Sequence, residues 1–246
     1  MNGKLNLAIC ISGGGSTMQA VLQACRNGRL PRVRPVLIIA SKPCIEGITK
    51  AFAEGFRFDD VCVKVRKEFS SSEAFGNSIL KECRRREVNV IFQCGFLPTM
   101  PPNVVAEYRF KIFNQHPGPL DGSRLGFGGK GMHGKAVHRA VLHFARNIRR
   151  PFRTEATVHY VANAVDGGAI VGVRPMELNL DTDTAETLAD RLLPQEHGLV
   201  IDTLLRLSEF EGAIPELNRH EPLIRDDESD LLASSKRLAI EAYPNG

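Results

Sequence analysis

The sequence predicts an α/β fold, a mostly parallel sheet with helices between its strands. Three observations carry this. Apolar strand-like runs alternate with helical patterns from Leu5 to His116. The strands are near-continuously apolar, as strands buried on both faces must be. The first strand also passes through a glycine-rich turn straight into a helix, the usual opening of such a sheet.

The elements follow in order. "LNLAICIS" is the first strand, and "GGGS" leads into a helix from about Ser16. "RPVLIIAS" is the second strand, with a helix from about Ile45. "DVCVKV" precedes "SSEAFGNSILKECRRR", whose apolar positions recur every three to four residues and so predict an amphipathic helix. "VNVIFQCG" precedes a shorter helix after Pro101 and Pro102, and "FKIFNQH" is the fifth strand. The rhythm then changes. A helix is expected over 134–147. "EATVHYV" and "AIVGVRPMEL" flank "ANAVDGG" and suggest an antiparallel pair. A further helix opens in "DTDTAETLADRL", where Asp183 and Glu186 stand at capping-box spacing. Pro194 is expected to kink or restart it. From about Glu221 the chain turns polar and charged, which predicts a loosely packed tail with room for one short helix. The expected organisation is one domain over 1–220, with 221–246 as a charged tail rather than a second domain.

Bulk properties narrow the function. Hydrophobic residues make up 43% and charged residues 24% of 246, ordinary for a globular chain. A net charge of +4 suits a small anionic ligand. It is too weak and scattered for nucleic acid, which wants a concentrated basic stripe. "RNIRRPFR", the densest basic run, reads as a solvated helix end. No two of the six cysteines show C-x-x-C spacing, so free thiols in a reducing cytoplasm are expected. The apolar run near the start is short and enters a glycine turn, so it reads as a strand and not a signal peptide. No stretch is long enough to span a membrane. His133, His138 and His143 are spaced by five, do not share a helix face, and do not read as metal ligands; no metal is expected.

The turn "ICISGGGSTMQA" is not a dinucleotide fingerprint. Gly13 and Gly15 fit G-x-G, but Met18 stands where the third glycine belongs, and no acid ends the second strand. "GGKG" at 128–131 lacks the Ser or Thr of a phosphate-binding P-loop. Two readings of Gly14, Gly15, Ser16 and Thr17 remain: a phosphate cradle at a helix N-terminus, or a plain tight turn.

The fifth strand is more telling. Side chains alternate along a strand, so Asn114 and His116 point one way and Gln115 the other. In an open parallel sheet, ligands lie beyond the carboxyl ends of the strands. An amide N–H₂ and an imidazole N–H aimed at one point can hold an oxyanion, and the imidazole can carry a proton. The plainer reading is a strand-end histidine that is merely hydrogen-bonded. Asp166, in the tight "VDGG" loop, offers a carboxylate to orient the ring and raise its pKa.

"ISGGGSTMQA", "FNQHPGPL", "GFGGKGMHGKAVHRAV", "ATVHYVANAVDGGAIV" and "QEH" occur in this order. Together they resemble the glycinamide ribonucleotide formyltransferases of the folate-dependent formyltransferase superfamily. The resemblance covers roughly Leu5 to Pro215. It implies a Rossmann-like three-layer α/β fold whose mostly parallel sheet carries a late antiparallel strand. It implies formyl transfer from 10-formyltetrahydrofolate to the amine of phosphoribosylglycinamide, a purine-biosynthetic step. Asn114, His116 and Asp166 would be catalytic, with His116 charged near neutral pH. Gly14, Gly15, Ser16, Thr17, Pro117 and Glu196 would bind the ribonucleotide. Phe96, Leu97, Pro98, Thr99, Met100, Asn114 and Val165 would bind the folate. The expected partners are these small molecules, without nucleic acid or membrane, in a cytoplasmic monomer or homodimer. The alternatives are a sister enzyme formylating another amine, a formyltetrahydrofolate hydrolase, or a catalytically silent nucleotide-binding module.

The chain departs from the family pattern in places. Thr17 replaces a usual Asn, and the loop over 121–130 is longer, so a reshaped substrate loop is expected. Ser72 and Pro98 stand where arginines are common, so a weaker hold on the outer part of the folate is expected. Lys64, Arg66 and Lys67 are candidate replacements.

Overall fold

The computed structural model describes residues 4–121, 126–210, 213–217 and 222–244. The expected reshaping of the 121–130 loop falls partly on 122–125, outside the described residues. The chain forms two compact units, one of residues 1–115 with 200–214, the other of 116–199 with 215–246.

The first unit holds the parallel strands β1 (Leu5–Ile11), β2 (Val33–Ala40), β3 (Val61–Val63), β4 (Val90–Gln93) and β5 (Ile112–His116), ordered β3-β2-β1-β4-β5. His116, the last residue of β5, is the first of the second unit. From Leu7 to Ile11, β1 is wholly buried, which accounts for its unbroken apolar run. Leu7 pairs with Pro35 but Ala8 with Leu37, so the β1–β2 ladder has a bulge at Val36, directly after Pro35, which has no N–H to donate. The helices are α1 (Ser16–Arg26), α2 (Glu46–Ala53), α3 (Ser72–Arg85) and α4 (Pro102–Glu107). α3 starts because the Ser71 hydroxyl accepts the Ala74 N–H at 3.0 Å, and it buries Phe75, Ile79, Leu80 and Cys83 along one face. α4 starts with Pro at its first position, where a missing N–H costs nothing.

In the second unit, α5 (Lys135–Asn147) is followed by β6 (Arg153–Tyr160) and β7 (Ile170–Glu177), the expected antiparallel pair. Helix α6 (Ala185–Glu209) comes next, residues 185–199 in this unit and 200–209 in the first. Two expectations about α6 are corrected. Of the kink or restart expected at Pro194, the restart does not occur, since one helix spans 185–209. The lost hydrogen bond is outweighed by burial of Leu188, Leu192, Leu199, Val200 and Leu204, each side chain worth roughly 1.5–3 kcal/mol. Its start is capped by Thr184 rather than Asp183. The Thr184 hydroxyl accepts the Thr187 N–H at 3.2 Å, and the Thr187 hydroxyl accepts the Thr184 N–H at 2.8 Å. Asp183 instead accepts the Asn179 N–H and pairs with Arg191.

The charged tail is better packed than its composition suggests. α7 (Ser229–Ala242) buries Leu232 and Ala239 in one cluster with Val137, Val141 and Phe144 of α5. The basic run before β6 is likewise not simply solvated. Arg146 donates to the carbonyls of Leu180 and Asp183, and Arg150 grips Glu228 in a bidentate pair at 2.6 and 2.7 Å. All six cysteines are free thiols, three of them buried. Among the described residues, no helix is long and apolar enough to cross a membrane, and no group of three or more His, Cys, Asp or Glu residues could hold a metal.

Candidate active site

Asn114 and His116 end β5, two residues apart and therefore on one face of the strand. Asn114 is half-buried and His116 only 2% exposed. After them the chain is held by the Thr157 hydroxyl, which donates to the Gly118 carbonyl at 2.9 Å. Pro117 is half-buried.

Asp166 joins His116 here. Its carboxylate lies 3.8 Å from His116 Nδ1, 3.5 Å from His159 Nε2, and accepts the Gly129 N–H at 2.9 Å. The loop between β6 and β7 bends tightly to present it. Asp166 has φ 55°, the left-handed region that Asp tolerates better than most residues. A Cβ at Gly168 would lie 1.7 Å from the Tyr160 carbonyl oxygen, so glycine there is obligatory. A register shift after Val158 brings His159 to the loop, where its Nδ1 faces the Tyr160 carbonyl at 2.8 Å.

Burial sets the charges. It acts to raise the Asp166 pKa, but hydrogen bonding from His159, the nearby His116 and the Gly129 N–H together push it down to about 2. His116 goes the other way from the expectation. Its burial outweighs the attraction of Asp166 and holds its pKa below the usual histidine range, with His159 and Lys236 adding to the effect. His116 is therefore neutral near pH 7, not charged. Its Nε2 lies 3.1 Å from the Phe127 carbonyl oxygen, so in this geometry that nitrogen carries the proton. His138 on α5 is also buried, its pKa pushed down to about 4, chiefly by burial.

The glycine turn is built around a close approach. Gly15 has φ 66°, and a Cβ there would stand 2.7 Å from the Gly47 Cα. Gly13 and Gly14 are exposed, Ser16 is half-buried and Thr17 is buried. A carboxylate oxygen of Glu46 comes within 3.5 Å of the position a Cβ would take on Gly14. In the 96–100 run, Phe96 and Met100 are buried, Pro98 is half-buried, and Leu97 and Thr99 are exposed. The Leu97 N–H donates to Ser12 Oγ at 2.8 Å. Val165, beside Asp166, is 42% exposed, and Glu196 on α6 is 4% exposed. Of the candidate arginine replacements, Lys64 pairs with Glu82 at 3.7 Å and Arg66 bonds the Phe69 carbonyl; Lys67 is exposed.

Sequence reasoning passed over His159, Phe127, Gly129 and Lys236. His159 could have been found: it stands in the same "ATVHYVANAVDGG" run as Asp166. Phe127 and Gly129 act through main-chain atoms, which no residue type advertises.

Comparison with known proteins places the chain among relatives of one family. A chloroplastic phosphoribosylglycinamide formyltransferase from Vigna unguiculata is 31% identical over 206 residues, 82% of this chain and 61% of its own length. Its counterpart from Arabidopsis thaliana is 30% identical over 80% of this chain and 63% of its own length. The chain thus spans about three fifths of the length of these relatives. The crystal structure of phosphoribosylglycinamide formyltransferase from Brucella melitensis superposes with a TM-score of 0.71 at 28% identity, covering 86% of this chain and all of that one. The enzyme from Bacillus halodurans gives 0.69 at 25%, covering 82% and 94%. The formyl transferase family model matches residues 5–204, a span that includes every strand of both units, and the chain therefore belongs to the formyl transferase family.

Proposed function

We propose that this chain transfers a formyl group from 10-formyltetrahydrofolate to the amine of phosphoribosylglycinamide. The observation that carries the reading is the His116–Asp166 pair, with Asn114 two residues earlier on the same strand face. Asn114 donates its amide N–H₂ to the oxyanion that develops as the amine attacks the formyl carbon; one such donor is typically worth about 2.7–4 kcal/mol. His116, neutral at rest, takes the proton of the attacking amine and returns it to the leaving nitrogen, help typically worth about 10²–10⁴-fold. Asp166 stays ionised and stabilises the imidazolium formed on the way. It therefore acts on the transition state rather than on the resting enzyme. Holding both substrates against this strand end supplies much of the remaining rate.

The assigned binding roles fit what the residues offer. Gly14, Gly15, Ser16 and Thr17 would take the acceptor's phosphate on backbone N–H groups at the start of α1, where no acidic residue occupies the first turn. Glu196 would hold its ribose, and Pro117 would adjoin the ribonucleotide. Leu97 and Val165 are large apolar side chains left 48% and 42% exposed, which suits contact with a flat pterin; Phe96, Pro98, Thr99 and Met100 complete that assignment.

The test is to mix the protein with the formyl donor, with and without the acceptor, and follow the pterin's ultraviolet change. Turnover that requires both substrates is expected. Donor consumption without acceptor would replace this reading with a hydrolase. Consumption only with a different amine would point to a sister transferase, and no turnover at all to a silent binding module.

A further inference from the structure

Helix α7 lies wholly beyond the residues matched by the family, yet it reaches the candidate site. Lys236 Nζ donates to the carbonyl oxygens of Gly128 at 2.6 Å and Gly126 at 3.2 Å. Those peptide groups flank Phe127, whose own carbonyl meets His116 Nε2 at 3.1 Å. Gly129, two residues after Phe127, donates its N–H to Asp166. One ammonium thus holds both sides of a short loop that touches both members of the pair. It does so on carbonyls rather than on a carboxylate, in partly buried surroundings where such charge-assisted bonds are strong.

The loop needs such a hold. Gly126 and Gly129 have φ of 46° and 101°, so its path depends on residues without side chains to anchor it. The Phe127 ring is pinned against Phe144 and Phe152, but a pinned ring does not fix the direction of its carbonyl. α7 is itself fixed nearby. Ser235 Oγ lies 2.8 Å from His143 Nδ1 of α5, and Ile240 packs over Gly131. Asp121 also accepts the Ile224 N–H, tying the segment before α7 to the start of the same loop.

We propose that Lys236 is a positioning residue: through the Gly126 and Gly128 carbonyls it holds residues 126–129 against His116 and Asp166, and so fixes the hydrogen bonding of that pair. The proposal rests on the reading that His116 and Asp166 perform the chemistry. The charged and titratable groups facing His116 are Asp166 from the β6–β7 loop, His159 from β6, His138 from α5 and Lys236 from α7. The Lys236 ammonium and burial both oppose a charge on His116.

The experiment uses the full chain, histidine-labelled for NMR, with His116 assigned among the seven histidines by substitution. In Lys236→Met the opposing charge is gone, which acts to raise the His116 titration midpoint, while release of the Phe127 carbonyl from Nε2 acts to lower it, so the midpoint should move less than loss of the charge alone would move it. Exchange of the Gly129 amide should quicken by about tenfold or more. Lys236→Arg keeps the charge and two donors, and should leave both values near those of the parent. Neither readout needs turnover, so this proposal can fail while the formyl-transfer reading stands, and the reverse. In turnover, Lys236→Met should lower kcat more than it raises either KM. A folded Lys236→Met with unchanged Gly129 exchange would overturn the proposal, whatever its His116 midpoint. So would a loss of stability without quickened Gly129 exchange. If Lys236→Met does not fold, Lys236→Gln is read by the same two measurements.

Discussion

Asp166→Asn tests the catalytic reading most sharply, because it removes a charge and little else. Asn is nearly the same shape, tolerates the left-handed φ of 55°, and can still accept the Gly129 N–H. The charge it removes matters in two ways. At 3.8 Å and an effective dielectric near 20, a carboxylate and the imidazolium formed on His116 attract by about 4 kcal/mol. Since that cation exists only on the reaction path, kcat should fall by roughly 10²- to 10³-fold. The second effect is on stability. A pKa pushed from 3.8 to about 2 on a carboxylate with 9% side-chain exposure corresponds to a stabilisation on the order of 2 kcal/mol. Because the folded-state pKa is the lower one, this stabilisation is fully present above about pH 4 and is lost as pH falls towards 2. The variant should therefore melt earlier at neutral pH and lose this part of the parent's acid dependence. The assay is initial rate against pH with both substrates. His116 must be neutral to accept a proton, so the acidic limb follows its pKa. Asp166 raises that pKa, and its removal should move the limb to lower pH. A near-parental kcat, or a limb that moves up, would refute the argument.

Other variants address the remaining assignments. Asn114→Ala should lower kcat by about 10²-fold or more with the fold intact; near-normal turnover in the purified variant would remove Asn114 from the mechanism. Glu46→Gln removes a carboxylate next to Gly14, so KM for the phosphorylated acceptor should fall a few-fold while that for the folate stays put. Equal or absent changes would favour a purely structural turn. Ser72→Arg should lower KM for the formyl donor at least several-fold, since Ser72 is exposed at the start of α3 and an arginine there can hold a carboxylate bidentately. Tight donor binding in the unaltered protein would instead point to Lys67.

Much of this protein was legible in its sequence, for identifiable reasons. Near-continuous apolar runs placed the parallel strands because both their faces are buried, and period-3.6 hydrophobicity placed helices that bury one face; side chains meanwhile alternate along a strand. The same alternation put Asn114 and His116 on one side of β5. A short-range rule misled where a long-range term was larger. Pro194 signals a break, but the apolar residues around it are worth more buried than one hydrogen bond is worth made. Asp183 and Glu186 satisfy a spacing, yet Asp183 is drawn away by Arg191, and Thr184 takes the cap.

What only the tertiary structure decided is the state of the site. His116 was named by its position in the strand, but its charge depends on how completely other elements exclude water around it, and that excess of burial over attraction has no sequence signature. The same holds for Lys236. It reaches Gly128 from 108 residues away, in a stretch whose composition read as a loosely packed tail. A local pattern reports what a residue can do. Only the packing of α7 on α5, driven by the burial of Leu232 and Ala239, brings that ammonium to the carbonyls beside Phe127 and His116.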